Sequence, residues 1–528
     1  MQKIVVLFSW IFLCCTLLFA DEKAIERGGD KRPNILFFLV DDMGWQDTSV
    51  PFYKEKTKLN AQFRTPNMQK LADQGRMFTQ AYACTICSPT RVSLMTGMNA
   101  ARHRVTSWTK KLDSETSKSS ERLKAPNWNL NGMGPLKEKH NRVYKTDTTL
   151  PRLLQQAGYR TIHAGKAHFA AQSLLGANPI NIGFDVNIAG NHLGGPGSYL
   201  SSKHFGKGSW HVFGLDAFYP ENNGTGEDIF LTEALTQEMN KSISKAVADG
   251  VPFFAYMAHY AVHVPLAEDT RFSKNYPSLN PTERKYATMI EGMDKSLGDI
   301  LAKLNELGVA ENTLVIFYSD NGGLSFTGRG KSPYGGRNTH NWPLRAGKGS
   351  AYEGGIRVPF IAAWAKPNPK NPLQKAYPIP KNSTCKKPVI IEDMMPTVLK
   401  IAGINPPENL DGCDISGYLH ADPTFSRANN LFLFNCPNIW SGVALRQNQG
   451  YEPFTVLREG DWKLIYLFHN KRWELYHLPS DIHEEKNLVK THPEKFKSMR
   501  ANLIRLMKER GGQYPILKET GKEADLPL

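Results

Sequence analysis

The sequence predicts an α/β fold, a large, mainly parallel sheet sandwiched by helices, followed by a smaller C-terminal α+β subdomain. Three observations lead there. Short apolar runs alternate with helical patterns, the arrangement that builds a parallel sheet with helices on both faces. Polar and charged residues follow four of those runs, where α/β sheets bind ligands past the carboxyl ends of their strands. Beyond Lys366 the composition shifts, and prolines crowd an irregular stretch before short strands and a closing helix.

The run 34–40 (NILFFLV) is followed by Asp41 and Asp42, and the weaker run 159–164 (YRTIHA) by Lys166 and His168. His259 and His263 follow 252–258 (PFFAYMA), and Asp320 and Asn321 follow 313–318 (TLVIFY). One such coincidence carries little, but four argue for one convergent site. A helix is expected at 65–75, with Pro66 in its first turn and Gly75 at its stop. Another is expected at 283–307, where Met289, Met293, Leu297, Ile300, Leu301 and Leu304 recur at helical spacing. Pro367, Pro369, Pro372, Pro378 and Pro380 mark a surface segment, and 405–430 is again rich in turn formers. Residues 455–467 and 472–478 read as short strands with a turn between, and 494–508 as a helix. The expected division is a leader over 1–20, a large domain over 31–404 and the α+β subdomain over 430–528.

A chain of 528 residues with 41% hydrophobic residues has ample material for a core of this size. Lys3 precedes an apolar run, 4–19, that ends in small Ala20 before Asp21 and Glu22. That is the layout of a secretory signal peptide, and the run is shorter than the ~20 residues of a membrane span. Neither Cys14 nor Cys15 follows a small residue, which argues against lipidation. No later stretch is apolar enough to span, so the expectation is an exported protein, periplasmic or secreted, with no transmembrane anchor. The net charge of +15 suits an anionic substrate, although generic surface charge explains it equally well. Nucleic acid is a poor partner, because no Lys/Arg stripe coincides with a binding motif. The cysteines beyond the leader are Cys84, Cys87, Cys385, Cys413 and Cys436; the number is odd, so one thiol is free or modified. Cys385 and Cys413 could pair in an oxidising compartment.

The segment 87–97 (CSPTRVSLMTG) carries the chemistry. Ser88 suits a helix cap, Pro89 a first position and Gly97 a stop, which sets Cys87 at a helix N-terminus, where the dipole favours anions. Arg91 lies one turn on, able to face the same anion. A cysteine so placed is a candidate low-pKa nucleophile; the plainer alternative is a buried structural cysteine. Cys87-Ser88-Pro89-Thr90-Arg91 resembles the C-x-P-x-R maturation motif of the sulfatase family, whose cysteine becomes a formylglycine. That modification also accounts for the odd thiol.

The resemblance runs over nearly the whole chain. Pro33-Asn34-Ile35 through Asp41-Asp42-Met43-Gly44 resembles the family's opening strand and metal loop, and Thr65-Pro66-Asn67 through Phe78-Thr79 its first helix and the approach to the cysteine. Gly165-Lys166-Ala167-His168 resembles G-K-x-H, and Val262-His263-Val264-Pro265 resembles P-H-x-P with Val262 in place of the usual proline. Ser319-Asp320-Asn321-Gly322-Gly323 matches closely, as does Gly347-Lys348 leading to Tyr352-Glu353-Gly354-Gly355-Ile356-Arg357-Val358-Pro359. Gly460-Asp461-Trp462-Lys463-Leu464-Ile465 and Glu474-Leu475-Tyr476 resemble the family's C-terminal subdomain. Segment lengths and Gly183-Phe184-Asp185 resemble bacterial glycan-degrading sulfatases more than choline-sulfatases.

The resemblance implies a bound Ca²⁺ held by Asp41, Asp42, Asp320 and Asn321, with residue 87 itself facing the ion. These side chains form an all-oxygen set suited to a hard cation. Arg91, Lys166, His168, His263 and Lys348 would surround the sulfate. In the family's mechanism one hydroxyl of the hydrated aldehyde attacks sulfur, His263 or Lys348 protonates the departing alcohol, and His168 helps expel the sulfate from the second hydroxyl. Taken singly, each Asp is as well explained as a turn residue, each Lys as a solvated charge and each His as a satisfied core residue; their joint placement favours function. Less specific candidates for substrate contact are His192 in the Gly-rich loop 187–199, expected to be flexible, and Arg337 and His340 ahead of Lys348. Trp128 and the polar stretch 106–145 are expected as a wall, with His259 behind the site. The implied partners are a sulfated carbohydrate and a formylglycine-generating maturation enzyme. Competing readings are a phosphate or phosphonate monoester hydrolase with the same modified cysteine, and an inactive protein that binds sulfated glycans. A two-zinc phosphatase with a Ser or Thr nucleophile fits poorly with Cys87 and an oxygen-only ligand set.

Overall fold

The strand Asn34–Val40 lies at the centre of the main sheet, and all seven of its residues are buried. Ile35, Phe37 and Leu39 enter one hydrophobic core. Leu36, Phe38 and Val40 enter the other, on the opposite face. A strand covered on both faces needs a continuous apolar run and not an alternating one, which is what makes this element legible. The computed structural model describes residues 32–126, 132–134, 144–325, 329, 332–334, 340–440, 445 and 449–527.

Among the described residues, nine strands form this sheet. Its spatial order is Ser383–Cys385, Arg76–Tyr82, Arg357–Trp364, Thr313–Ser319, Asn34–Val40, Phe253–Ala258, Arg160–Gly165 and Val186–Ile188, with Val389–Ile390 also pairing to Arg76–Tyr82. Pairings are parallel except those of Arg357–Trp364, which runs antiparallel to both neighbours. The helices Pro66–Gln74, Leu231–Ala248 and Pro281–Glu306 cover one face, and Leu150–Gln156, Cys87–Thr96 and Met394–Ile401 the other. The long helix starts two residues before the expected 283, because the Asn280 side chain accepts from the N–H groups of Thr282 and Glu283 and caps it.

The span 455–467 is two strands, Phe454–Glu459 and Trp462–Leu467, with Gly460 turning between them at φ 58°. Together with Leu431–Cys436 and Arg472–His477 they form a four-stranded antiparallel sheet, packed by the helix Pro493–Glu509. This is the α+β subdomain expected at the C-terminus. Arg32–Leu528 nonetheless form one compact unit.

Two expectations are corrected. Cys385 and Cys413 are both free thiols, as are the other described cysteines. Ser88 does not cap its helix: the helix begins at Cys87, after Ile86, and the Ser88 hydroxyl accepts from the Thr109 N–H at 3.2 Å. Gly97 does end it, in the left-handed conformation at φ 65°. The leader 1–20, Trp128 and Arg337 lie outside the described residues. No described helix is long and apolar enough to cross a membrane.

Candidate active site

The four strand ends named from the sequence do meet. Backbone bonds stitch their loops together: Asp41 N–H donates to Ala261 O, Val262 N–H to Asp41 O, Lys166 N–H to Ala258 O and Asp320 N–H to Val40 O. The wholly buried helix Cys87–Thr96 presents its first residue to the same point. A ligand atom from each of Asp41, Cys87 and Asp320 lies within 4.8 Å of the others.

Each carboxylate has one buried cation. Lys166 Nζ donates to Asp41 Oδ2 at 2.6 Å. Arg91 grips Asp320 Oδ2 through Nε at 2.9 Å and Nη2 at 2.8 Å, and gives Nη1 to the Lys166 carbonyl at 2.6 Å. Lys348 Nζ reaches Asp42 Oδ1 at 2.6 Å, and Asn321 Nδ2 donates to the same oxygen at 2.8 Å. Burial and the neighbouring Asp320 push the Asp41 carboxyl well up, despite Lys166. On Asp42 burial acts in the same sense but is outweighed by Lys348 and His263, so its carboxyl is held below the usual range. Burial opposes the Lys348 charge, yet Asp42 raises that ammonium above its ordinary value. The thiol of Cys87 is pushed up by burial, so the low-pKa thiolate expected from its helix N-terminus is corrected.

The oxygen set fits a hard cation. Asp41 Oδ1 and Asn321 Oδ1 are buried and have no hydrogen-bond partner. Two buried carboxylates stand together, and Asp41 is driven towards neutrality by burial and by Asp320. A cation supported by oxygen ligands relieves both defects.

His168 Nε2 lies 2.9 Å from the Thr109 carbonyl, and a carbonyl only accepts, so Nε2 carries the hydrogen. Its Nδ1 is then a buried, unpartnered lone pair. By the same logic His263 Nδ1 donates to Val264 O at 2.7 Å, which leaves Nε2 unprotonated, 3.7 Å from Asp42 Oδ2. Burial holds both rings neutral. Gly194 and Gly195 pack directly on them: an added Cβ would lie 2.7 Å from His168 Cε1 and 2.8 Å from His263 Nδ1. Asp42 and His168 both adopt left-handed backbone, at φ 60° and 54°, strain of the kind that gathers at functional sites.

A cleft of about 800 Å³ opens over Asp42, Cys87, His168, His263 and Lys348 and is walled by Trp108, Trp210 and Trp440. Arg91 and Lys166 stand behind the carboxylates, not on the cleft. His192 lines a recess beside it, with Trp108 and Trp210. His340, expected at the substrate, is buried 3.7 Å from Glu283. It belongs to a network in which Arg329 pairs with Glu283 and Asp47, while Asp47 accepts from Gly44 N–H and Tyr286 OH. His259 is buried against Ser296, at 2.9 Å. Sequence reasoning missed this network, Trp210 and Trp440, since nothing in their spacing ties them to the motifs.

Comparison with known proteins agrees with this geometry. The sulfatase family model matches residues 33–404. A sulfatase of Formosa agariphila is 28% identical over 524 residues, covering 89% of this chain and 86% of its own. The N-acetylgalactosamine-6-sulfatase of Sus scrofa is 30% identical over 432 residues, 77% of this chain and 70% of its own. The crystal structure of Ps i-CgsB in complex with k-i-k-neocarrahexaose superposes with a TM-score of 0.66 at 24% identity, covering 91% of this chain and 93% of that one. The chain belongs to the sulfatase family and is a sulfuric ester hydrolase.

Proposed function

We propose that the protein is an exported sulfatase that hydrolyses sulfate esters of a sulfated carbohydrate, using a formylglycine made from Cys87 and a bound calcium ion. The observation that carries this reading is the convergence of Cys87 with Asp41 and Asp320 at the floor of a cleft lined by His168, His263 and Lys348. A glycan substrate is supported by relatives named for a sulfated amino sugar and by a structural neighbour seen with a neocarrahexaose.

Asp41, Asp42, Asp320 and Asn321 hold the ion, which when bound supplies Lewis-acid polarisation of the sulfate oxygens. Residue 87, once oxidised by a formylglycine-generating enzyme, supplies two hydroxyls on one carbon as the hydrated aldehyde. The remaining work falls to side chains already in position. Arg91 fixes Asp320 and Lys166 fixes Asp41, so the ligand oxygens need no reorganisation. Three carboxylates balance three cations here, and a divalent ion leaves a positive excess that favours an anionic ester. Lys348 and His263 line the cleft where the alcohol departs; Lys348 holds a proton to give it, whereas His263 Nε2 carries none and can only accept. His168, with Nε2 committed to Thr109 O, offers Nδ1 as the proton acceptor that resets the site.

Assays on 4-nitrophenyl sulfate and 4-nitrophenyl phosphate test the reading. Sulfate turnover should dominate, stop on chelation and return with Ca²⁺ better than with Zn²⁺, and Asp320→Ala should behave as the stripped enzyme. Preferred phosphate turnover, or full activity of Asp320→Ala in chelator, contradicts it.

A further inference from the structure

We propose that the cleft carries a subsite for a second sugar, formed by Trp108, Trp210 and Lys110, so that the substrate is an anionic oligosaccharide or polysaccharide and not a free sulfated monosaccharide. The inference rests on the carbohydrate reading above. The first ground is extent. The cleft runs outward from Cys87 and His168 past Trp108 and Trp210, and a sulfate group fills only its floor. Its volume lies in the upper part of the roughly 300–1,000 Å³ range of small-molecule sites.

The second ground is exposure. Trp210 closes the short turn Gly208–Trp210 and is 39% exposed, and three residues on Phe213 is 57% exposed, with the His211 ring 4.4 Å from its own. Trp210 also lines the cleft, and a large ring left in water at the wall of a cleft marks a binding surface. A sugar offers an apolar C–H face edged by hydroxyls, and a tryptophan face edged by an N–H is its complement.

The third ground is charge. Lys110 Nζ stands 5.1 Å from the Trp210 ring centroid, held there by cation–π attraction, and among the described residues no carboxylate pairs with it. Lys110, Lys118 and Lys348 face the cleft against Asp42 and Glu115, so its lining is net positive. A sugar stacked on Trp210 brings its substituents to the Lys110 ammonium, which a sulfate or carboxylate on that sugar would neutralise.

The test compares three substrates: 4-nitrophenyl sulfate, monosaccharide sulfates, and hexasaccharides of carrageenan and chondroitin sulfate. The wild type should turn over a hexasaccharide with higher kcat/KM than the matching monosaccharide. Trp210→Ala and Lys110→Gln should each lower the ratio of hexasaccharide to aryl sulfate kcat/KM about two- to tenfold, through KM and not kcat. Trp210→Phe and Lys110→Arg should restore most of it. Both side chains reach solvent, so folding is not at stake. Equal losses on all three substrates, or no preference for length in the wild type, overturn the subsite while sugar turnover still upholds the carbohydrate reading. Turnover of the aryl sulfate with no sugar sulfate cleaved overturns both.

Discussion

Gly194 and Gly195 show how single residues set the site. From sequence, the loop 187–199 reads as merely flexible; in the fold it is the surface on which two histidine rings rest. A Cβ at Gly194, 2.7 Å from His168 Cε1, is closer than real contacts allow, so the ring must move. Displacing a reacting group by about 1 Å costs on the order of 10²-fold in rate. Gly194→Ala should therefore lower kcat on aryl sulfate about 10²-fold, with a stability loss of only about 1–3 kcal/mol. Wild-type kcat in that variant contradicts the packing. Glu392 offers a second test, away from the chemistry. Burial raises its carboxyl to about 7, and although Asn99 donates to Oε1, Oε2 has no partner. The folded state thus keeps a proton that the unfolded chain releases above about 4.5. This contribution is complete below that pH and is lost as pH rises through about 7. The stability of Glu392→Gln relative to wild type should therefore improve between pH 4.5 and 7.5, as followed by denaturant melts; a pH-independent difference refutes the buried proton.

At the scale of elements, a buried lysine helps to join the two sheets, beside Arg458, which donates to Tyr82 OH at 3.2 Å and to Gln80 Oε1 at 2.8 Å. Lys463, on Trp462–Leu467, places Nζ 3.1 Å from Glu353 and 2.7 Å from Glu484. Glu353 also accepts from Tyr82 OH of the main sheet, at 2.9 Å. This gives a physical reason for two of the late motifs, Tyr352 to Pro359 and Gly460 to Ile465: they supply the two sides of one contact. Lys463→Met removes the cation that two buried carboxylates share; Glu353 keeps Arg357 at 3.4 Å, but Glu484 loses its ion-pair partner, and breaking such a buried pair costs about 3–5 kcal/mol. Denaturant unfolding should show that loss, and a change below about 1 kcal/mol would mean that the carboxylates are satisfied elsewhere. Elements were legible where burial on both faces forces an apolar run, as in Asn34–Val40 and Thr313–Ser319. Arg76–Tyr82 was not, because it is only partly buried and its Arg, Thr and Gln break the run. Arg357–Trp364 was visible only as a motif, since its apolar run follows directly on the short Gly-rich helix Glu353–Ile356.

For the whole molecule, the chemistry was legible because four of its residue groups follow strands, and the fold brings those strand ends together. Of the cleft walls, the stretch expected at 106–145 was legible and supplies Trp108 and Lys110; Trp210 and Trp440 were not, because they come from loops far apart in sequence and meet it only through tertiary structure. The same global packing bears on maturation. The helix Cys87–Thr96 is buried throughout and Cys87 is 3% exposed, so an enzyme that oxidises this side chain must reach it before the helix is covered. Co-production with a formylglycine-generating enzyme, followed by mass spectrometry of the peptide containing residue 87 from active protein, is the most direct test of the account. It predicts the Cys87 sulfur replaced by oxygen with two hydrogens lost, and Cys87→Ala folded but without turnover. Active enzyme that carries only the intact thiol at residue 87 would contradict it.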